Sequence, residues 1–384
     1  MDNLRKKYRP INAKRLVSPT ALSRTLSQGA AAGSKQPDLL QPLVDPVSGF
    51  RRGAHSLFQK SRLTPAWQSV RKVGPGLQNL GNTCFLNSVL QCLTYTPPLA
   101  NYLLSQEHSR QCRQGNVFCM MCELERHVIR SFELNQQSGA ICPKKIVGSL
   151  KAIAKHMRVG RQEDSHEFLR YVVEAMQASC LNGLNSKIDA RVKETTLVHA
   201  IFGGYLQSQI RCSRCHADSN TFDPLLDLSL EVRNCSSIQR ALSTFTKPEL
   251  LDGRNKYKCD KCQVLVEARK QLTIYQTPEV LTIQLKRFDF GHSMFGGGKI
   301  NKHIEYPETL DLAPYISPSR KGVEMNTRYS LYGVLVHSGS SCHSGHYYCY
   351  IKATSGAWYC MDDSSVSSIS LKQVLAKTAY LLFY

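Results

Sequence analysis

At 384 residues the chain has room for two or three domains, or for one large domain with an extension, at about 150 residues per domain. Hydrophobic residues make up 42% and charged residues 20%, and no stretch nears the roughly 18 uninterrupted apolar residues of a membrane helix, so no membrane partner is expected. The net charge of +20 is uneven: residues 1–75 hold fourteen Lys or Arg against three acids, a net +11, and the remainder carries only about +9.

Taken from the start, Met1-Asp2-Asn3-Leu4-Arg5-Lys6-Lys7 is followed by no apolar run of the secretory kind, so a reducing compartment is expected. The fifteen cysteines there read as metal ligands, a nucleophile and small core residues rather than a disulfide framework. Up to about Gly76 scattered Pro, Ser, Gly and Arg show no period of 3.6 or 2, the mark of a basic, mostly disordered extension over residues 1–75. Diffuse positive charge attracts phosphate without a fold, which suggests nucleic-acid contact or a nuclear address; a solvated tail without a partner explains it equally well.

From Gly76 apolar residues recur at helical spacing in Phe85, Leu86, Val89, Leu90 and Leu93, and the pattern stops at Thr96-Pro97-Pro98. Further helices are expected around Leu124, His127, Val128 and Phe132, and around Phe168, Leu169, Val172, Val173 and Met176. After residue 200 the alternation shortens to strand type, as in Leu206–Ile210, Leu281–Leu285 and His346–Ile351. Helices first and strands later imply an α+β fold, and no internal repeat is found.

Gly81-Asn82-Thr83-Cys84 leads directly into the first helix. A sulfur at that position meets unpaired backbone N–H groups and the positive end of the helix dipole, which favour the thiolate, the nucleophilic form. Asn79, Asn82 and the Cys84 amide lie beside it as donors for an oxyanion. Near the other end, a strand beginning at His346, a turn at Thr354-Ser355-Gly356 and a second strand through Met361 would put His346 opposite or diagonal to Asp362 on one face. Asp362 would then accept from Nδ1–H of His346 and leave Nε2 for the cysteine proton. Asp363 points to the other face and is the second choice; His337 and His343 read as loop or surface histidines.

Two C-x-x-C pairs, Cys212/Cys215 and Cys259/Cys262, stand next to strand-like sequence and suit a tetrahedral structural zinc that clips the ends of a long β excursion. His108, Cys112, Cys119 and Cys122 form a second possible zinc set, although cysteines that continue into a helix often only fill core space. Asp164 and Glu167, three apart at a helix start, read as a capping box with Asp164 as N-cap; alternatively at least one of them faces a groove and pairs with arginines of a basic substrate tail.

Three segments carry a family resemblance. Gly76-Leu77-Gln78-Asn79-Leu80-Gly81-Asn82-Thr83-Cys84-Phe85-Leu86-Asn87-Ser88 resembles the Cys box of the ubiquitin-specific proteases, Gly345-His346-Tyr347 with Trp358 to Asp363 their His box, and Gln162-Glu163-Asp164-Ser165-His166-Glu167-Phe168 the box between. The resemblance implies a papain-like cysteine protease over residues 76–384, with a helical thumb to about residue 200, then a β-rich palm and zinc-clipped fingers. It further implies that the protein cleaves the bond after the C-terminal Gly-Gly of ubiquitin on ubiquitinated proteins, with no catalytic cofactor. By the same resemblance Cys84 is the nucleophile, His346 the base, Asp362 its orienting acid and Asn79 the oxyanion donor. Gln162, Asp164 and Glu167 bind substrate. Met361 stands where the family commonly has Phe. Gly203–Leu206 and Cys92–Ala100 are most similar in texture to a nuclear and nucleolar subgroup, with the cytoplasm as the other location. The end at Leu381-Leu382-Phe383-Tyr384 coincides with the expected last core strand and leaves no room for a C-terminal regulatory domain. Two other readings stay open: a protease for a ubiquitin-like modifier, and an idle, zinc-stabilised scaffold that binds nucleic acid.

Overall fold

The computed structural model describes residues 56–384 apart from residues 116, 185–187, 189, 289–297 and 342–343. Residues 1–55, and with them most of the basic extension, lie outside the described residues, as does His343.

The thumb is built around helix α1 (Cys84–Thr94), in which every residue is buried. Its apolar ridge packs on the later helices, with Phe85 meeting Phe168 edge-on at 5.4 Å. A helix buried on all sides must satisfy its polar residues internally. Ser88 Oγ donates to the Phe85 carbonyl at 3.1 Å, and Gln91 Nε2 to the Pro75 carbonyl at 3.2 Å. The prolines expected to end the first helix instead open the next one: Pro97 and Pro98 are the first residues of α2 (Pro97–Leu104). Proline suits that place because its missing N–H is one the helix would leave unpaired anyway. The thumb continues with α3 (Glu107–Gln111), α4 (Met120–Glu133), α5 (Lys144–Gly148), α6 (Leu150–Ile153), α7 (Ser165–Leu181) and α8 (Leu197–Phe202).

Strands then take over. Finger strands β1 (Gly204–Cys212), β2 (Asp218–Leu225), β4 (Glu249–Leu251) and β7 (Ala268–Gln276) pair in the order β2-β1-β7-β4, while β3 (Leu228–Glu231) belongs to the palm. At the fingertip β5 (Tyr257–Lys258) and β6 (Leu265–Val266) form a short hairpin. The palm is a seven-stranded sheet in the order β14-β13-β12-β11-β15-β8-β3, and only β3 and β8 run parallel. Its other members are β8 (Thr282–Lys286), β11 (Gly333–Ser341), β12 (Ser344–Lys352), β13 (Trp358–Asp362), β14 (Ser365–Ile369) and β15 (Ala379–Phe383), with β9 (Thr309–Asp311) and β10 (Arg328–Ser330) as a separate pair. Strand β15 is wholly buried in mid-sheet, which accounts for its unbroken apolar run. The α+β class expected from the helix-then-strand order is the class observed.

Residues 56–75, assigned on composition to the extension, run as a strap over the thumb. Phe58 is buried edge-on against Tyr102, and Trp67 packs on Phe132 at 5.8 Å. Backbone ties hold both ends: Phe58 N donates to the Thr195 carbonyl at 2.9 Å, and Arg71 N to Thr354 Oγ1 at 2.7 Å. Single anchoring aromatics spaced nine apart have no periodic signature.

Candidate active site and metal clusters

Cys84 is the first residue of α1 and is 3% exposed. The turn before it is shaped from within: Asn79 Oδ1 accepts from Gly81 N at 3.0 Å and from Thr83 N at 3.1 Å. Gly81 and Asn82 take left-handed φ angles of 97° and 54°, which glycine and asparagine tolerate best. The turn is also pinned from outside, as Gly160 N donates to the Gly81 carbonyl at 3.1 Å and Asn82 Nδ2 to the Gly160 carbonyl at 2.8 Å.

Strand β12 packs against α1 and carries His346 to the same place. His346 Nε2 lies 2.6 Å from Asp362 Oδ1. The β12–β13 register pairs Cys349 with Met361 and Tyr350 with Cys360, so Asp362 falls diagonal to His346, one of the two placements expected. The ring nitrogens are the reverse of the sequence expectation: Nε2, not Nδ1, faces the acid, which leaves Nδ1 for the sulfur. Strand parity fixes which face a side chain occupies but not the ring flip. The neighbouring Cys84 sulfur and then the Asp362 carboxylate push the His346 imidazole up to about 9, outweighing the burial that lowers it.

Gly345 sets the approach of this strand. A Cβ there would lie 2.2 Å from the Ser338 carbonyl oxygen and 2.6 Å from His337 Nε2, and its φ is 152°. His337 itself corrects an expectation. It sits on β11, 2% exposed, with its ring 4.4 Å from Tyr347 and 5.3 Å from Phe288. Burial first, then Lys299 and His346, bring its imidazole down to about 4. It is a neutral core histidine because its strand position faces inward, which the glycine- and serine-rich sequence after it disguised.

Asp363 does not share the role of Asp362. At φ 45° it turns away from β13, and its carboxylate accepts from Asn79 Nδ2 at 2.9 Å and from Asn87 Nδ2 at 2.8 Å. Its carbonyl accepts from Leu77 N at 2.7 Å. His346, Asp362 and Asp363 keep a ring nitrogen and two carboxylate oxygens within 4.8 Å of one another. The amide of Asn79, expected to serve an oxyanion, is thus directed at Asp363 in this structure. Asn87 was not singled out from sequence, although it stands inside the quoted Cys box.

Gln162 Oε1 accepts from Gly345 N at 2.7 Å, which ties its segment to the His346 strand. Asp164 caps α7, with Oδ1 accepting from His166 N at 2.8 Å and Glu167 N at 3.0 Å. The same carboxylate accepts from the Tyr380 hydroxyl at 2.7 Å, a contact 216 residues away in sequence that no local signal foretells. Only half of the expected capping box forms, because Glu167 reaches instead to His156 Nε2 at 3.4 Å. Beneath them His166 Nε2 meets Asp227 Oδ2 at 2.9 Å, both largely buried. Burial would raise the Asp227 carboxyl, but His166 outweighs it and holds the group below its ordinary value.

Both cysteine sets assemble. The sulfurs of Cys212, Cys215, Cys259 and Cys262 all lie within 4.8 Å of one another. The two halves repeat one geometry: Cys215 N points at Cys212 Sγ and Cys262 N at Cys259 Sγ, each at 3.4 Å. The following residues, His216 and Gln263, are both left-handed, with φ near 55° and 58°. Amides aimed at sulfur support thiolates, and the Cys215 amide first among them brings Cys212 down to about 6. The donor set fits tetrahedral zinc. His108, Cys112, Cys119 and Cys122 also bring their ligand atoms within 4.8 Å, and His108 Nε2 lies 3.1 Å from Cys119 Sγ. Burial would raise Cys119, but His108, the Cys122 amide and Ser179 together bring it to about 6. These residues could hold a metal too; Cys119 and Met120–Cys122 do more than continue a helix.

A buried cysteine at a helix start thus stands with a histidine–aspartate pair on the facing strand, within a thumb, palm and fingers arrangement. The family model described as ubiquitin carboxyl-terminal hydrolase matches residues 75–384, and the chain belongs to that family. It is 51% identical over 329 residues to the human protein named ubiquitin carboxyl-terminal hydrolase 42, covering 85% of this chain but 24% of that one. It is 43% identical over 357 residues to human ubiquitin carboxyl-terminal hydrolase 17-like protein 6, covering 93% and 85%. Among solved structures, a chain of the SAGA Ubp8/Sgf11/Sus1/Sgf73 DUB module bound to ubiquitin aldehyde superposes with a TM-score of 0.71 at 32% identity, covering 84% of this chain and 72% of that one. The chain therefore spans about a quarter of the first of these relatives.

Proposed function

We propose that the protein is a deubiquitinase that hydrolyses the isopeptide or peptide bond after the C-terminal glycine of ubiquitin, with Cys84, His346 and Asp362 as its triad. The observation that carries the reading is the meeting of two distant segments: Cys84 at the mouth of a buried helix, and an imidazole raised to about 9 by that sulfur while Asp362 grips its other nitrogen. The Cys84 thiolate attacks the glycyl carbonyl carbon. His346, as imidazolium, gives its proton to the departing amine, and a thioester forms. Water, deprotonated by His346, then displaces the sulfur and frees the ubiquitin carboxylate. The Cys84 backbone N–H and Asn79 serve the developing oxyanion, Asn79 exchanging its Asp363 bond for it.

Ubiquitin as partner is carried over from the relative bound to ubiquitin aldehyde. Gln162, Asp164 and Glu167 are assigned to its C-terminal tail, with Asp164 presented by its Tyr380 bond. Zinc is assigned to the four finger cysteines, where it stabilises the strand ends, and to His108, Cys112, Cys119 and Cys122 as a second structural site. The basic extension supports nucleic-acid contact, and together with the likeness of Gly203–Leu206 and Cys92–Ala100 to a nuclear and nucleolar subgroup it supports a nuclear location. The test is hydrolysis of a fluorogenic ubiquitin amide: turnover by the wild type and its loss in Cys84→Ala are expected. Undiminished turnover in that variant would reject the assignment.

A further inference from the structure

Charge on the catalytic domain is concentrated in one place. From residue 134 to residue 162 there is no acid, while Lys144, Lys145, Lys151, Lys155, Arg158 and Arg161 supply six cations, most of the roughly +9 carried by residues 76–384. All six are exposed, and none makes a salt bridge among the described residues. Val159, between the two arginines, is 49% exposed.

This segment is fastened to both arms of the site. Gly160 is bonded to Gly81 and Asn82, three and two residues before Cys84. Gln162 is bonded to Gly345, the residue before His346. Arg158 and Arg161 therefore stand at the rim of the cleft. Directly after them the sign changes in sequence, with Glu163 accepting from Arg158 N at 3.2 Å, Asp164 capping α7 and Glu167 in its first turn 3.4 Å from His156, so the acids flank the cations along the same edge of the site. A basic peptide tail is drawn to the acids and repelled by the cations, so the tail of the transferred acyl group belongs on the acidic side. What remains for the cationic rim is the other side of the scissile bond.

We propose that residues Lys151 to Arg161 form a leaving-group subsite that selects proteins whose ubiquitin-bearing lysine lies beside acidic residues. The inference rests on the proposed deubiquitinase reading. Val159 favours a protein over nucleic acid as occupant, since an exposed aliphatic side chain between two arginines suits a mixed acidic and apolar surface and offers a base no aromatic platform. Exposed charges act within about 10 Å at ordinary salt, so the selection should be electrostatic and screenable.

The experiment uses the full chain and three substrates: ubiquitin joined by an isopeptide bond to a lysine in an acidic, a neutral or a basic labelled peptide. A fluorogenic ubiquitin amide with a small leaving group serves as control. At low salt kcat/KM should be about tenfold higher for the acidic than for the neutral peptide, and the gap should close at high salt. The triple variant Lys151→Glu, Lys155→Glu, Arg158→Glu should lose or invert the preference with unchanged turnover of the small amide. The corresponding triple Gln variant, which adds no repulsion, should lie between. Equal rates on all three peptides, or an equal loss on the small amide, would overturn the subsite. So would a shift of a short DNA duplex by the wild type but not the variant, with the peptide rates alike. No turnover of the small amide by the wild type would instead count against the deubiquitinase reading.

Discussion

Asp363 accepts a hydrogen bond from the Asn79 amide at 2.9 Å, while its neighbour Asp362 lies 2.6 Å from His346. Two adjacent acids are thus divided between the two halves of the site, and the left-handed φ of 45° at Asp363 is what separates them. Gly76 makes room for this turn, since a Cβ there would lie 2.4 Å from the Asp363 carbonyl oxygen.

The division predicts different failures. Asp362→Ala should lower kcat about 10²- to 10⁴-fold with little change in melting temperature, because it removes only the orientation of the imidazole. Asp363→Ala removes a carboxylate acceptor from the exposed Asn79 amide and from the buried Asn87 amide, which keeps the Gln78 carbonyl at 3.2 Å; this costs about 1 kcal/mol, so it should melt measurably lower as well as lose activity. Steady-state kinetics and thermal melts on both variants check this. A cooler melt for Asp362→Ala alone would reverse the assignment.

The pH dependence follows from His346, whose imidazole stands near 9 rather than its ordinary 6.5. The proton donor is imidazolium, so kcat/KM should fall as pH rises through about 9. The stabilisation that the raised imidazole gives the fold has the same sign: fully present below about 6.5, lost as pH rises through 9. In Asp362→Asn one of the raising causes is gone, so the alkaline limb of the rate profile should move to lower pH. A limb that stays in place would show that the acid does not act through His346.

Much of this is legible in the amino-acid sequence, for reasons particular residues make clear. The place of Cys84 at a helix start is readable because the apolar helical pattern begins directly after it, and the register of His346 to Asp362 because strand parity is arithmetic. His337 was misread because its burial depends on Phe288 and Tyr347, brought to it by tertiary packing alone. Tyr380 was missed for the same reason. The second metal set was legible as spacing only; its closure needed α3 and the start of α4 to be brought together, and a loop between them has no period to read.

The metal assignment predicts about two zinc per chain in freshly purified protein. Cys259→Ser should release the finger ion and weaken binding of ubiquitin, raising KM. Cys119→Ser should release the thumb ion, lower the melting temperature and leave the finger ion in place. Elemental analysis of the wild type and both variants decides it; two ions retained in Cys119→Ser would remove the thumb set from consideration.

The strap makes the domain boundary testable. Sequence composition places it at residue 75, yet Phe58 and Trp67 bury aromatic surface on the thumb, and Asn101 Nδ2 holds the Thr64 and Ala66 carbonyls at 3.0 and 2.8 Å. Gly74 N adds a bond to the Tyr95 hydroxyl at 2.9 Å, directly under α1. Burial of Phe58 contributes about 1.5–3 kcal/mol, and the half-buried Trp67 contributes less. A chain of residues 76–384 should therefore melt clearly lower than one of residues 56–384, whereas removing only residues 1–55 should change the melt little. Phe58→Ala should account for a large part of the difference, since Phe58 also carries the Arg62 guanidinium at 5.1 Å over its ring. Equal melting temperatures for the two shortened chains would mean that the strap covers the thumb without stabilising it, and would return the boundary to residue 75.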